Sequence, residues 1–169
     1  RVRAGIARTF QITQLLADQT ALDNVALAVQ AGQGHSFRFL KSATSDSSLR
    51  APAREYLDAA GLGERADVVV SQLSHGEHKQ LELALALATK PRLLLLDEPM
   101  AGLGASESRA MVEALKRMKG SLSILLVEHD MDAVFALADR ISVLVYGRII
   151  ASGAPADIQA DAQVRAAYL

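Results

Sequence analysis

An α/β fold built on a parallel sheet is what this sequence predicts, and three stretches carry the prediction. The first is Leu93-Leu94-Leu95-Leu96 running into Asp97-Glu98-Pro99. Four leucines are too few to span a bilayer. They suffice for a strand buried on both faces, as in the middle of a parallel sheet covered by helices. Residues 122–127 read as a second buried strand, and residues 5–11 as a short one ending at Gln11. Helical patterns alternate with the strands, and that alternation predicts a parallel core.

Taken in order, Thr20-Ala21-Leu22-Asp23 has the form of a capping box with Asp as the acidic member. Leu22, Val25, Ala26 and Val29 follow at helical spacing, predicting a helix to about residue 31. Residues 32–50 shift to Gly, Ser, Lys and Arg and read as a surface loop or a short basic helix. Pro52 suits a first helical turn and Gly61 a stop, bracketing a helix with Tyr56, Leu57 and Ala60. Residues 66–72 form a connector, briefly extended at Val68-Val69-Val70. Ser74 opens a helix through Leu81, Ala84, Leu85 and Ala88 to Lys90-Pro91, its apolar second half expected to be buried on several sides. The helix over 106–119 has Glu107 near its start, Lys116 and Lys119 near its end, and Gly120 as its stop. Asp130 caps a helix with Val134 and Leu137, residues 141–146 and 148–151 flank Gly147 as a hairpin, and short helices follow Pro155. Residues 12–72 hold no strand pattern and predict a helical lobe.

Composition narrows the function classes. The 169 residues are 50% hydrophobic and 22% charged, the balance of a globular domain. A formal net charge of −1 gives no basis for general nucleic-acid binding. The absence of cysteine excludes disulfides and thiolate metal sites. No apolar run reaches the roughly 20 residues of a membrane-spanning helix, so membrane association is expected through a partner. The sequence starts Arg1-Val2-Arg3 without methionine, as a piece of a longer chain would.

Ligands of open α/β sheets gather at the carboxyl ends of the strands, where Asp97 and Glu98 lie. Strand alternation aims the two to opposite sides, which implies different roles. The pair alone also fits an ordinary polar turn. Leu73-Ser74-His75-Gly76-Glu77 stands directly before a helix, and Ser74 with Glu77 makes a capping box. The same small Ser and bare Gly also make a phosphate site, because free backbone N–H groups and the dipole attract an anion that a side chain at 76 would block.

The order Gln11, Leu73-Ser74-His75-Gly76-Glu77, Leu93 to Glu98, Ala101-Gly102-Leu103-Gly104 and Glu128-His129-Asp130 resembles the ATP-binding-cassette (ABC) ATPases over the whole chain. The resemblance implies a P-loop NTPase-type (RecA-like) parallel core with a helical lobe. Its parts are the Q-loop strand (1–11), the helical lobe (12–72), and the signature, Walker B, D-loop and switch-histidine region (73–169), in one partial cassette domain. It also implies roles. Gln11 resembles the Q-loop glutamine that helps hold magnesium and the attacking water. Ser74, His75, Gly76 and Glu77 resemble the signature motif, which grips the γ-phosphate of ATP on the opposite subunit. Asp97 resembles the aspartate that holds Mg²⁺ through water, Glu98 the general base, and His129 the switch histidine at the γ-phosphate. Taken alone, Gln11 also fits a strand-end amide and His129 a helix-start residue bonded to backbone.

Three positions depart from the common pattern: His75 replaces Gly, Glu77 replaces Gln, and Gly104 stands where the D-loop aspartate would fall. Together with Glu98-Pro99-Met100-Ala101-Gly102-Leu103 they resemble the ATPases of branched-chain amino-acid importers and their urea and amide relatives. So do Ala154-Pro155-Ala156-Asp157-Ile158 and Val164 to Leu169. No Gly-x-x-x-x-Gly-Lys-[Ser/Thr] loop occurs in the sequence. In the family that loop precedes the Q-loop, so the N-terminal portion of the cassette is expected to be absent and the chain alone inactive toward ATP. Its absence is expected to leave apolar faces of the Leu93 and Leu122 strands uncovered.

The resemblance thus implies an ATP- and Mg²⁺-dependent ATPase subunit energising inner-membrane import of branched-chain amino acids or similar small solutes. Its partners would be a second ATPase subunit, identical or not, and transmembrane permease subunits. Its place would be cytoplasmic, peripheral on the inner face of the membrane. A non-transport cassette and a nucleotide-free folded module are the competing readings. No nucleic-acid partner is expected.

Overall fold

The computed structural model describes residues 5–8, 15–32 and 46–168. They fall into two compact units, Arg1–Glu128 and His129–Leu169. In the first, β1 (Ile6–Arg8), β2 (Leu93–Asp97) and β3 (Ser123–Val127) form a parallel sheet in the order β1-β2-β3. Ile6 stands opposite Leu93, and Asp97 opposite Val127. Gly5 sets this start. At φ +74° its carbonyl accepts N–H bonds from both Arg92 (2.7 Å) and Leu93 (3.0 Å), and a Cβ there would lie 3.1 Å from Arg92 Nε.

The strands differ from expectation in cover. On β2, Leu94 and Leu96 are buried while Leu93 and Leu95 are half-buried. On β3, Leu125 and Val127 are 58% and 56% exposed, so the reading of a strand buried on both faces fails, and the uncovered apolar face expected of the Leu122 strand is what is found. Ser123, Leu125 and Val127 alternate along the strand and share this exposed face, and among the described residues β3 pairs only with β2. An apolar run specifies a strand but not what covers it.

Helix α1 (Ala21–Gly32) buries Leu22, Val25, Ala26 and Val29, the stripe its spacing predicts. Thr20 Oγ1 accepts the Asp23 N–H at 3.1 Å, the cap half of the expected box, and donates to Asp23 Oδ2 at 2.6 Å, so the acidic side chain returns to the Thr20 hydroxyl and not to the Thr20 N–H. Burial raises the Asp23 carboxyl, but the Thr20 hydroxyl and the Arg50 guanidinium (2.6 Å) outweigh it and hold the group below the usual carboxylate value. Among the described residues Asn24 is the buried polar residue of the core, and both ends of its amide are bonded. Oδ1 accepts the Leu16 N–H (2.9 Å), and Nδ2 donates to Leu16 O (3.2 Å) and Thr20 O (2.9 Å). Asn24→Ala leaves the Leu16 N–H without its side-chain partner and removes one of the two bonds that Leu16 O and Thr20 O each accept, and is expected to lower stability by about 1–3 kcal/mol, measured by urea denaturation.

Helix α2 (Ser47–Ala60) starts earlier than Pro52 implied. Asp46 caps it, accepting the Ser48 N–H at 3.0 Å and the Ser48 hydroxyl at 2.7 Å, so Pro52 lies inside the helix and removes one bond there. The cap outweighs the proline because Asp46 satisfies donors the first turn leaves open. Gly61 ends the helix as expected: at φ +82° its N–H reaches Asp58 O, and the Leu62 N–H reaches Leu57 O. The connector forms 3-10 turns at Gly63–Arg65 and Val70–Gln72, with Val69 bridged to Thr20. Helix α3 (His75–Ala88) buries Leu81, Leu83, Ala84, Leu87 and Ala88, bearing out its predicted many-sided burial. Helix α4 (Ala105–Met118) buries only the stripe Met111, Ala114, Leu115 and Met118.

The second unit opens with α5 (Met131–Leu137), whose cap Asp130 accepts the Ala133 N–H at 3.1 Å. Strands β4 (Ile141–Val145) and β5 (Arg148–Gly153) pair antiparallel through Tyr146 (φ +46°) and Gly147 (φ +76°), the backbone of a two-residue hairpin turn. Helices α6 (Pro155–Ala160) and α7 (Ala162–Tyr168) follow. Ile141, Val143, Ile158 and Val164 form the core of this unit. Among the described residues no helix is long and apolar enough to cross a membrane.

Candidate functional site

The carboxyl end of β2 places the first group of residues. Asp97 closes the strand, and its Oδ2 lies 3.1 Å from Arg8 Nη2 at the matching end of β1. The pair is well exposed, with 50% and 38% of the two side chains open to solvent, so its effect is local charge matching more than stability. Glu98 leaves the strand at φ +46°, a left-handed backbone that a non-glycine residue takes at a cost of about 1–3 kcal/mol. Strand alternation therefore stops at Asp97, and the direction of Glu98 is set by this turn and not by the pleat. Two bonds hold the turn: the Glu98 N–H donates to Val127 O (2.9 Å), and the Ala101 N–H donates to Glu98 O (3.1 Å). Glu128 adds a third, its Oε1 accepting the Met100 N–H at 2.8 Å.

The second group lies where α3 and α4 begin. Ser74 caps α3, accepting the Glu77 N–H at 3.2 Å, while Glu77 Oε2 accepts the Ser74 N–H at 2.8 Å. The other Glu77 oxygen accepts from Arg65 Nε at 2.7 Å, so both of its oxygens are engaged in holding the helix start. Glu107, on the first turn of α4, reaches across. Its Oε1 accepts the Ser74 hydroxyl (3.1 Å) and the Gly76 N–H (3.2 Å), and its Oε2 accepts the Gly104 N–H (3.1 Å). The Gly104 N–H above all, then Ser74 and Gly76, with His75 adding positive potential, hold the Glu107 carboxyl below the usual range. A Cβ at Gly76 would collide with this carboxylate, whose Cγ would stand 2.8 Å away. His75 lies against Gly102, where a Cβ would come 3.2 Å from its Nε2. Gly104 has φ −72° and room for a side chain, so its lack of one is not imposed by the backbone.

The structure therefore joins Ser74, His75 and Gly76 to the Gly102–Gly104 turn, and Asp97 to the Glu98 turn, within one unit. His129 is exposed and is the first residue of the other unit, directly before Asp130. Gln11 lies outside the described residues. Among the described residues no group of three or more His, Asp or Glu side chains gathers as a metal cage. Sequence reasoning assigned no site role to Arg8, Glu107 or Glu128. The available signals were Glu107 at the third helical position after a glycine cap, and Glu128 at a strand end; their long-range partners had none.

Comparison with known proteins gives consistent matches. The ABC transporter family pattern matches residues 1–101, and the branched-chain amino acid ATP-binding cassette transporter pattern matches residues 148–169. The high-affinity branched-chain amino acid transport ATP-binding protein LivG of Escherichia coli K12 is 34% identical over 174 aligned positions. These span 99% of this chain and 68% of that protein. The fold matches the ADP conformation of MJ1267, an ATP-binding cassette of an ABC transporter, with a TM-score of 0.78 and 26% identity. That match covers 99% of this chain and 69% of the other. It also matches the cassette MJ0796 in a dimeric, post-hydrolysis state bound to ADP and Pi, with a TM-score of 0.70 and 27% identity, covering 90% and 64%.

Proposed function

This chain belongs to the ATP-binding cassettes of ABC transporters, and from that premise we propose that it serves the ATPase subunit of an importer for branched-chain amino acids. The observation that carries the site reading is the convergence of the Ser74 hydroxyl and the Gly76 N–H on one carboxylate oxygen. The start of α3 is thus arranged to receive an anion, and the γ-phosphate of ATP held by a second subunit is the anion its place in the family assigns. His75 and Gly76 face that phosphate, with Gly76 allowing close backbone approach. Glu77 holds the helix start through Ser74 and Arg65. Gly104 lies at the D-loop place, facing the partner cassette.

Nucleotide binding follows from the family, and Mg²⁺ is the finer proposal. A small hard cation that keeps most of its waters needs only one or two protein oxygens. Asp97 fits, because it is an open carboxylate at a strand end that already accommodates the positive charge of Arg8. Asp97 and Gln11 would hold the ion, which when bound neutralises charge on the β- and γ-phosphates. Glu98 orients the attacking water, and His129 supports the γ-phosphate side. Catalysis of this kind rests on positioning and charge more than on covalent chemistry. Residues 1–11 would carry the Q-loop strand of the core, residues 12–72 the helical lobe that meets the permease, and residues 73–169 the signature, Walker B, D-loop and switch-histidine region, the permease holding the chain on the inner face of the membrane.

Reconstitution of the full-length subunit with its permease in vesicles tests the reading. ATP inside the transporter's cytoplasmic face should drive accumulation of radiolabelled leucine over an unrelated solute such as maltose. Equal leucine uptake with and without ATP would overturn it.

A further inference from the structure

The carboxylate of Glu107 sits where the proposed γ-phosphate contact would form. Its Oε1 takes up the Ser74 hydroxyl and the Gly76 N–H, the groups on α3 arranged for an anion. The contact is made by a flexible side chain from a different helix, across a gap that only the missing Cβ of Gly76 leaves open. The group is also free to leave. Glu107 Oε2 bonds separately to the Gly104 N–H, so the carboxylate can turn away from α3 and still cap α4. We propose that Glu107 is a built-in stand-in for the γ-phosphate of a nucleoside triphosphate: it occupies the signature helix start in the separate subunit and must be displaced when two subunits close over ATP.

This rests on the reading that the start of α3 receives the γ-phosphate, and it adds what regulates that step. A terminal phosphate carries more negative charge than a carboxylate and has three oxygens for the same donors, so it wins once a partner subunit delivers it. Before that, Glu107 satisfies donors that would otherwise face water and disfavours premature closure. A diphosphate has no terminal group to reach α3 and so does not displace Glu107. Glu107 thereby sets the ATP concentration at which the dimer forms.

The test measures ATP-dependent dimerisation of the full-length subunit by light scattering, in a Glu98→Gln background that cannot turn over. Glu107→Ala should lower the ATP midpoint by roughly three- to tenfold, the size of one lost charge-assisted contact. Glu107→Gln, which keeps an acceptor oxygen but no charge, should lower it by less and serves if the alanine variant folds poorly. A merely structural role at the start of α4 predicts the opposite: reduced thermal stability with an unchanged or raised midpoint. That result overturns the proposal. Gly76→Asp separates the two levels. If it still forms the ATP dimer, the γ-phosphate reading falls and this proposal with it. If it blocks the dimer while Glu107→Ala leaves the midpoint unmoved, only the stand-in role falls.

Discussion

Glu98→Gln is expected to leave ATP binding in the full-length subunit intact while lowering steady-state turnover by roughly 10²- to 10⁴-fold, the range typical of a lost general base. The change is nearly isosteric, and the backbone bonds that hold the turn do not involve the side chain: the Glu98 N–H still reaches Val127 O and its carbonyl still accepts from Ala101. The neighbouring Glu128 contact to Met100 is likewise untouched. What is lost is the carboxylate charge that orients and polarises a water. Nucleotide affinity, read by equilibrium titration, should therefore stay within about twofold while phosphate release nearly stops, because the change removes an interaction made only in the transition state. Phosphate release at the wild-type rate would remove Glu98 from the reaction. The left-handed backbone at this residue supports the assignment, since strain of this kind persists where surrounding bonds over-determine it and is concentrated at functional turns.

Gly76→Asp should abolish the ATP-dependent dimer and leave the separate subunit folded. Two effects of opposite sign make the outcome specific. For the isolated helix, a carboxylate in the first turn of α3 favours the positive end of the dipole, so local folding should not suffer. The added side chain collides with the end of the Glu107 side chain, which can swing aside by giving up its Ser74 and Gly76 bonds while keeping the one to Gly104. For the dimer, the new carboxylate stands permanently where the partner's γ-phosphate should arrive, opposing it by both size and charge. Unlike Glu107 it is attached to α3 itself and cannot be displaced. Size-exclusion chromatography with ATP in a hydrolysis-dead background reads this directly, and thermal unfolding of the nucleotide-free subunit checks the fold. An intact ATP dimer would make Ser74-His75-Gly76-Glu77 a helix cap and nothing more.

Much of this molecule was legible residue by residue. The Thr20–Asp23 and Ser74–Glu77 capping pairs, the Gly61 stop, the Asp130 cap and the Tyr146-Gly147 hairpin turn all depend on groups within a few residues of one another. Such short-range geometry follows from side-chain chemistry and allowed backbone angles. The run of leucines before Asp97 marked the central strand for the same reason, as did the parallel order implied by alternating elements. Pro52 misled because proline excludes itself from most helical positions only on average, and a strong cap at Asp46 overrides it. The exposed face of β3 was read from the motif order and not from the apolar run: hydrophobicity reports what a strand would bury, not whether a neighbour stands over it.

The contacts that matter most at the site fall on the other side of that line. Glu107 to Gly76 spans 31 residues, and Glu128 to Met100 spans 28. Arg8 to Asp97 spans 89. Each is brought together only because β1, β2 and β3 lie side by side and two helix starts converge beside them, and no local pattern encodes which distant carboxylate fills a given gap. Residue types and their order were enough to place the chain in its family and to name Ser74, Gly76, Asp97, Glu98 and His129 as candidates. Packing alone showed the left-handed turn at Glu98 and the anion already seated on Gly76, because both depend on where separate segments meet in space.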